Sequence, residues 1–276
     1  MSDPAGQLEM EREDEERVRQ KKIPVSEIFG PTIQGEGAMI GVRTSFIRFG
    51  LCDYRCVMCD SMHAVDPIRV KANAKWMTSE EIANALLEQH DGMKDVPNAS
   101  WVTLSGGNPC IHDLSELIKR IRGFDIIMGE LKIAVETQGT LLPNWLSWCD
   151  VITVSPKGPG MGEQFEQSKF MEFVLRFKHH QGFNVKVVIF NQQDLEFAQH
   201  INSIMMSEGL GDKMYLSLGN PYPPGQDTGK TDAELKLDLM QQYSILSEDL
   251  LLMPHMRNVK FLPQLHVLAW ANRQKV

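Results

Sequence analysis

The sequence predicts an α/β fold, a parallel sheet with helical crossovers curled into a barrel, complete or partial. Three observations predict it. Short β-branched or aromatic runs alternate with stretches of 3.6-residue apolar spacing. Six or seven such units succeed one another with no linker between them. Polar motifs fall at the C-terminal ends of the strand-like runs, where a barrel carries its chemistry.

In chain order, residues 1–22 read as a charged, disordered tail with no apolar stripe to dock. Residues 23–276 read as one domain. Its strands are expected at Thr44–Gly50, Ser100–Ser105, Lys132–Thr137, Val151–Ser155, Asn184–Phe190, Met214–Gly219 and Val259–His266. Thr78-Ser79-Glu80-Glu81 forms a capping box ahead of a helical IANALLEQH. Further helices are expected over Asp113–Phe124, Phe165–His180, Asp194–Glu208 and Thr231–Met253.

The 276 residues are 42% apolar and 23% charged, an ordinary globular balance. No apolar run approaches a membrane span, and the charged N-terminus is no secretory signal, so a cytoplasmic location is expected. The net charge is −8, and residues 1–20, with seven acids and three Arg, carry half of it. No basic footprint for nucleic acid is present. Five cysteines, an odd count, argue against a disulfide framework. Cys110 and Cys149 read as buried thiols.

The other three lie in Cys52-Asp53-Tyr54-Arg55-Cys56-Val57-Met58-Cys59, spaced C-x3-C-x2-C directly after a strand. Three thiolates on one loop can hold three irons of a 4Fe–4S cube and leave the fourth iron open. The alternative is a zinc site with His63 as fourth ligand. Leu104-Ser105-Gly106-Gly107-Asn108-Pro109 follows the next strand, and its glycines let backbone approach a ligand closely. Upstream, Glu27-Ile28-Phe29-Gly30-Pro31-Thr32-Ile33-Gln34-Gly35-Glu36-Gly37 presents polar side chains between glycines. Taken alone it serves equally as a hairpin turn.

The cysteine spacing after the first strand resembles that of radical S-adenosylmethionine enzymes. The upstream loop resembles the E-x-F-x-x-(I/L)-Q-G-E-G signature of the 7-carboxy-7-deazaguanine synthase family. That resemblance extends to Cys59-Asp60-Ser61, Glu136-Thr137-Gln138-Gly139-Thr140 and Ser155-Pro156-Lys157, an ordered set over roughly residues 23–157. It departs from pattern at Met58, where an aromatic is usual, at Asn108 in place of an acid, and at Ser61 in place of Thr.

The resemblance implies a partial TIM-like β/α barrel with about six strands. It implies a lyase that contracts the ring of 6-carboxy-5,6,7,8-tetrahydropterin to 7-carboxy-7-deazaguanine and expels ammonia. The implied cofactors are a 4Fe–4S cluster, S-adenosylmethionine and Mg²⁺. Cys52, Cys56 and Cys59 would ligate the cluster and Ser61 the Mg²⁺. Met58, Asp60, Gly107, Asn108, Glu136, Ser155 and Lys157 would border S-adenosylmethionine. Ile33, Gln34, Gly35, Glu36, Arg48, Ser105 and His266 would meet the substrate, with Arg48 on its carboxylate. His266 lies in Pro263-Gln264-Leu265-His266, resembling a C-terminal strand of the family, and reads alternatively as a core histidine. The expected partners are a second copy of the chain and a flavodoxin-like electron donor. Two other functions compete: a glycyl-radical activase, which would lack the Gln-Gly-Glu-Gly loop, and a non-catalytic zinc module.

Overall fold

A computed structural model describes residues 21–91, 100–124, 131–222, 224 and 229–273. Most of the expected tail and part of the loop over residues 222–230 lie outside the described residues. The strands are β1 (Ile23–Ile33), β2 (Arg43–Phe49), β3 (Lys75–Met77), β4 (Trp101–Gly106), β5 (Lys132–Thr137), β6 (Val151–Val154), β7 (Phe183–Ile189), β8 (Met214–Leu218) and β9 (Lys260–Leu262). The helices are α1 (Met62–Val65), α2 (Pro67–Asn73), α3 (Ser79–Asp91), α4 (Ser115–Gly123), α5 (Gln167–Phe177), α6 (Gln192–Ser207), α7 (Asp232–Leu251) and α8 (Leu265–Trp270).

The strands form one sheet in the order β3-β1-β2-β4-β5-β6-β7-β8-β9. From β2 to β9 every pairing is parallel, and these are the seven strands the sequence predicts. β1 and β3 add an antiparallel edge. The sheet therefore has nine strands rather than about six, and it stays open, with β3 and β9 at its two ends.

The period-two alternation of each strand sorts its side chains between two environments. Ile47 and Phe49 of β2, Val102 and Leu104 of β4, Ile133 and Val135 of β5, and Val185 and Val187 of β7 enter the apolar core. There they meet Leu117 and Ile121 of α4, Phe170, Phe173 and Phe177 of α5, and Leu195, Ile201 and Met205 of α6. The opposite parity carries Arg48, Thr103, Ser105, Glu136, Thr153 and Lys186, a polar interior on the concave side. Both expected thiol bystanders, Cys110 and Cys149, are buried in the core.

One expected strand is corrected. Val259–His266 divides into β9, which stops at Leu262, and α8, which holds His266. Pro263 has no amide to donate to a ladder, so pairing ends there. No described helix is long and apolar enough to cross a membrane.

Candidate functional site

The polar face of the strands and the loops at their C-terminal ends enclose a cavity of about 250 Å³. Its floor is a network of opposite charges. Lys186, on β7, places Nζ 2.5 Å from Glu36 Oε2 and 3.6 Å from Glu136 Oε1. Gln34 Nε2 donates to Glu136 Oε1 at 3.0 Å, and the Gln264 amide donates to Glu36. Burial alone would raise the Glu36 carboxyl, but Lys186 and His266 hold it at about 2. Burial would lower the Lys186 ammonium, but Glu136 and Glu36 raise it above its ordinary value. Glu36 and Lys186 are thus ionised through the neutral range.

Gly35 shows how closely this floor is fitted. A Cβ there would stand 2.1 Å from His266 Nδ1, and Leu265 N donates to Gly35 O at 2.9 Å. Glycine is required because the loop after β1 and the start of α8 touch backbone to backbone.

One wall carries an anion-seeking group. Arg48 Nε lies 3.1 Å from Glu27 Oε2, and its Nη1 donates to Ser61 Oγ at 2.9 Å. Ser61 Oγ in turn donates to Asp60 Oδ1 at 2.7 Å. The guanidinium is therefore aimed by a carboxylate behind it and a hydroxyl beside it.

The rim is the cysteine loop. Cys52, Cys56 and Cys59 are free thiols lining the cavity. Burial raises all three, Cys56 to about 11 and Cys59 to about 12. Cys52 Sγ accepts from Gln138 Nε2 at 3.2 Å and from Tyr54 N at 3.4 Å. His63 Nε2 lies 3.5 Å from Glu27 Oε2. Among the described residues no three His, Cys, Asp or Glu side chains converge as a single-ion site. Three soft donors on one loop, with the His63 of the alternative zinc reading paired to Glu27, suit a cluster that spreads its ligands.

The cavity brings together all but one of the residues expected from the sequence. Ile33, Gln34, Gly35, Glu36, Arg48, Ser105 and His266 line it, as do Met58, Asp60, Ser61, Gly107, Glu136, Ser155 and Lys157. Lys157 Nζ donates to Ser155 Oγ at 3.1 Å. The exception is Asn108, which is fully buried away from the cavity. Its Oδ1 accepts from Cys110 N at 3.1 Å and Thr137 Oγ1 at 2.9 Å, and its Nδ2 donates to Asp53 Oδ1 at 2.9 Å. The amide ties the Gly-Gly turn to the sheet and leaves no acceptor for a ligand. Gly107 is needed in that turn because a Cβ would meet Leu51 O at 1.8 Å.

Glu27, Gln138, Lys186 and Gln264 line the cavity without having been assigned from sequence. Glu27, Gln138 and Gln264 stand inside the motifs already singled out, whereas Lys186 is a lone charge within the otherwise uncharged run Phe183–Ile189.

No family model matches the chain. The 7-carboxy-7-deazaguanine synthase of Bacillus subtilis is 38% identical over 264 residues, which span 93% of this chain and 99% of the relative. That of Bacillus cereus is 37% identical over 262 residues, spanning 92% and 99%. That of Escherichia coli K12 is 31% identical over 176 residues, spanning 57% and 71%. Among solved structures, QueE from Escherichia coli shares the fold with a TM-score of 0.56 at 21% identity, over 92% of this chain and 99% of that one. With 37–38% identity to two synthases along nearly the full length of each, the chain belongs to the 7-carboxy-7-deazaguanine synthase family.

Proposed function

We propose that this protein converts 6-carboxy-5,6,7,8-tetrahydropterin to 7-carboxy-7-deazaguanine with release of ammonia, as a radical S-adenosylmethionine lyase of 7-deazaguanine biosynthesis. One observation carries the reading: a single cavity holds three free thiols on its rim, a guanidinium on its wall and amide and carboxylate groups on its floor. When bound by Cys52, Cys56 and Cys59, a 4Fe–4S cluster with S-adenosylmethionine supplies one-electron chemistry that removes and returns a hydrogen atom.

The chain's own residues do the rest. Gln34 and Glu36 offer acceptors to the N–H edge of a pterin, and Glu136, expected from the sequence beside S-adenosylmethionine, is reassigned to that edge because it shares Lys186 with Glu36. Arg48 pairs with the substrate carboxylate, held at the right angle by Glu27. Ser61 supplies the kind of oxygen that Mg²⁺ prefers, beside that same carboxylate. Met58, Asp60, Gly107, Ser155 and Lys157 border S-adenosylmethionine. The enclosing walls exclude water from reactive species. We place the catalytic domain at residues 23–276 and the protein in the cytoplasm, as a homodimer served by a flavodoxin-like donor.

The test is anaerobic reconstitution followed by turnover of the carboxy-tetrahydropterin. About four irons with labile sulfide are expected, and 7-carboxy-7-deazaguanine is expected by mass spectrometry. Bound zinc without sulfide, or no product from a loaded cluster, overturns the reading. Ser61→Ala is expected to cut Mg²⁺-dependent turnover sharply and leave the iron content unchanged.

A further inference from the structure

We infer that Lys186 is a positioning residue that holds Glu36 and Glu136 side by side as acceptor-only carboxylates, and thereby selects a heterocycle presenting N–H donors to the cavity floor. The inference rests on the proposed function and deepens it, because the pterin of that reaction has such an edge.

Three features of the floor support it. First, the two carboxylates come from separate elements, Glu36 from the loop after β1 and Glu136 from β5, and both reach the one Nζ. Two carboxylates converging in a buried place do not both ionise without a counter-charge; one takes a proton. Second, Lys186 has little freedom to do anything else. Its side chain is only 5% exposed, and its stem packs beside Gly37, 3.5 Å from where a Cβ would stand. Third, Gln264 Oε1 is buried without a hydrogen-bond partner among the described residues. It sits on the amide whose nitrogen donates to Glu36, so a free acceptor lies beside the carboxylate acceptors.

The charges around this pair come from every neighbouring element. Glu36 is faced by Lys186 of β7 and His266 of α8, and Lys186 by Glu36, Glu136 and, at longer range, Asp60 of the cysteine loop. Of the groups that face Glu36 with charge, removing Lys186 leaves His266 alone on α8. Glu36 would then be protonated near neutrality, as buried glutamates are. Its hydroxyl would donate where the substrate also donates, and two donors face to face repel.

The test uses reconstituted holoenzyme and Lys186→Met, with Lys186→Arg as the charge-keeping variant. In Lys186→Met, KM for the carboxy-tetrahydropterin is expected to rise roughly ten- to a hundred-fold near pH 6 and to return toward the wild-type value by about pH 9. The loss falls on KM more than on kcat, and Lys186→Arg recovers most of it. A purely structural lysine would lower active enzyme alike at all pH values and leave KM in place. A KM for Lys186→Met that matches wild type across the pH range overturns the inference. So does a protonated-carboxyl infrared band in the wild-type holoenzyme between about pH 5 and pH 9 that vanishes in Glu36→Gln. That measurement needs no Lys186 variant to fold. Absence of wild-type turnover would instead strike the proposed function.

Discussion

On the floor of the cavity, Lys186 already meets Glu36 and Glu136, and Gln34 and Gln264 already cap the same carboxylates. On the rim, three thiols sit a few residues apart, each held neutral by burial. Both regions gather polar groups from a loop at the end of a strand. They differ in when their geometry is settled. The floor is set by folding, since its charges answer one another. The rim keeps protonated thiols in the folded chain, and thiols must lose protons before they can bind soft metal. On the proposed function, the floor is built by folding and the rim is completed by its ligand.

The largest effect that would break this division is at the rim. Cys59→Ala is expected to abolish turnover and lose most of the bound iron while the circular dichroism spectrum and the unfolding midpoint stay near wild type. A large loss of stability would show that the rim, too, belongs to the fold.

Asn108 tests the boundary between the two regions, since it lies under the rim and faces inward. Asn108→Ala strips partners from Cys110 N, Thr137 Oγ1 and Asp53 and is expected to cost about 3–4 kcal/mol of stability by denaturant titration. S-adenosylmethionine affinity of the folded fraction should change little. The reverse outcome would return Asn108 to the cofactor.

The floor carries its own pH signature. Glu36 titrates at about 2 in the folded chain, against an ordinary value of 4.5. Its contribution is complete above 4.5 and is lost as pH falls towards 2, on the order of 3 kcal/mol in all. Lys186 is raised, so its contribution is complete below 10.5 and is lost only as pH climbs past that value. Unfolding free energy from this pair should be flat through neutrality and fall in acid, and Lys186→Met should remove the acid limb. The smallest effect sharpens the fit of the floor alone. Gly35→Ala drives a methyl towards His266 and is expected to cost about 2 kcal/mol, with a raised KM and an unchanged iron content.

Much of this molecule was legible in its sequence because six buried parallel strands, β9 at the edge aside, announce themselves as short apolar runs. β1 did not, since IPVSEIFGPTI contains a glycine-proline pair and three polar residues and pairs with β2 through two register shifts. A strand of three residues, Lys75–Met77, is too short to show any period. The site was legible wherever a motif placed polar residues at a strand end. Lys186 escaped because it sits within its strand, and a charge there says nothing until its two partners, 150 and 50 residues away, are folded beside it. Asn108 was misplaced because the sequence reveals that an amide follows two glycines, not which way it turns.

The bond from Leu265 N to Gly35 O, with its companion from Gln264 to Glu36, has a consequence in time. Glu36 leaves the ribosome 228 residues before the side chain that completes it. A nascent chain can pair β1 with β2 early, yet it cannot offer a finished pocket until α8 has been translated. Such distant closure is slow to form and comes late in folding. The order of synthesis thus sets the earliest moment at which the cavity floor can close, after the whole sheet has been made.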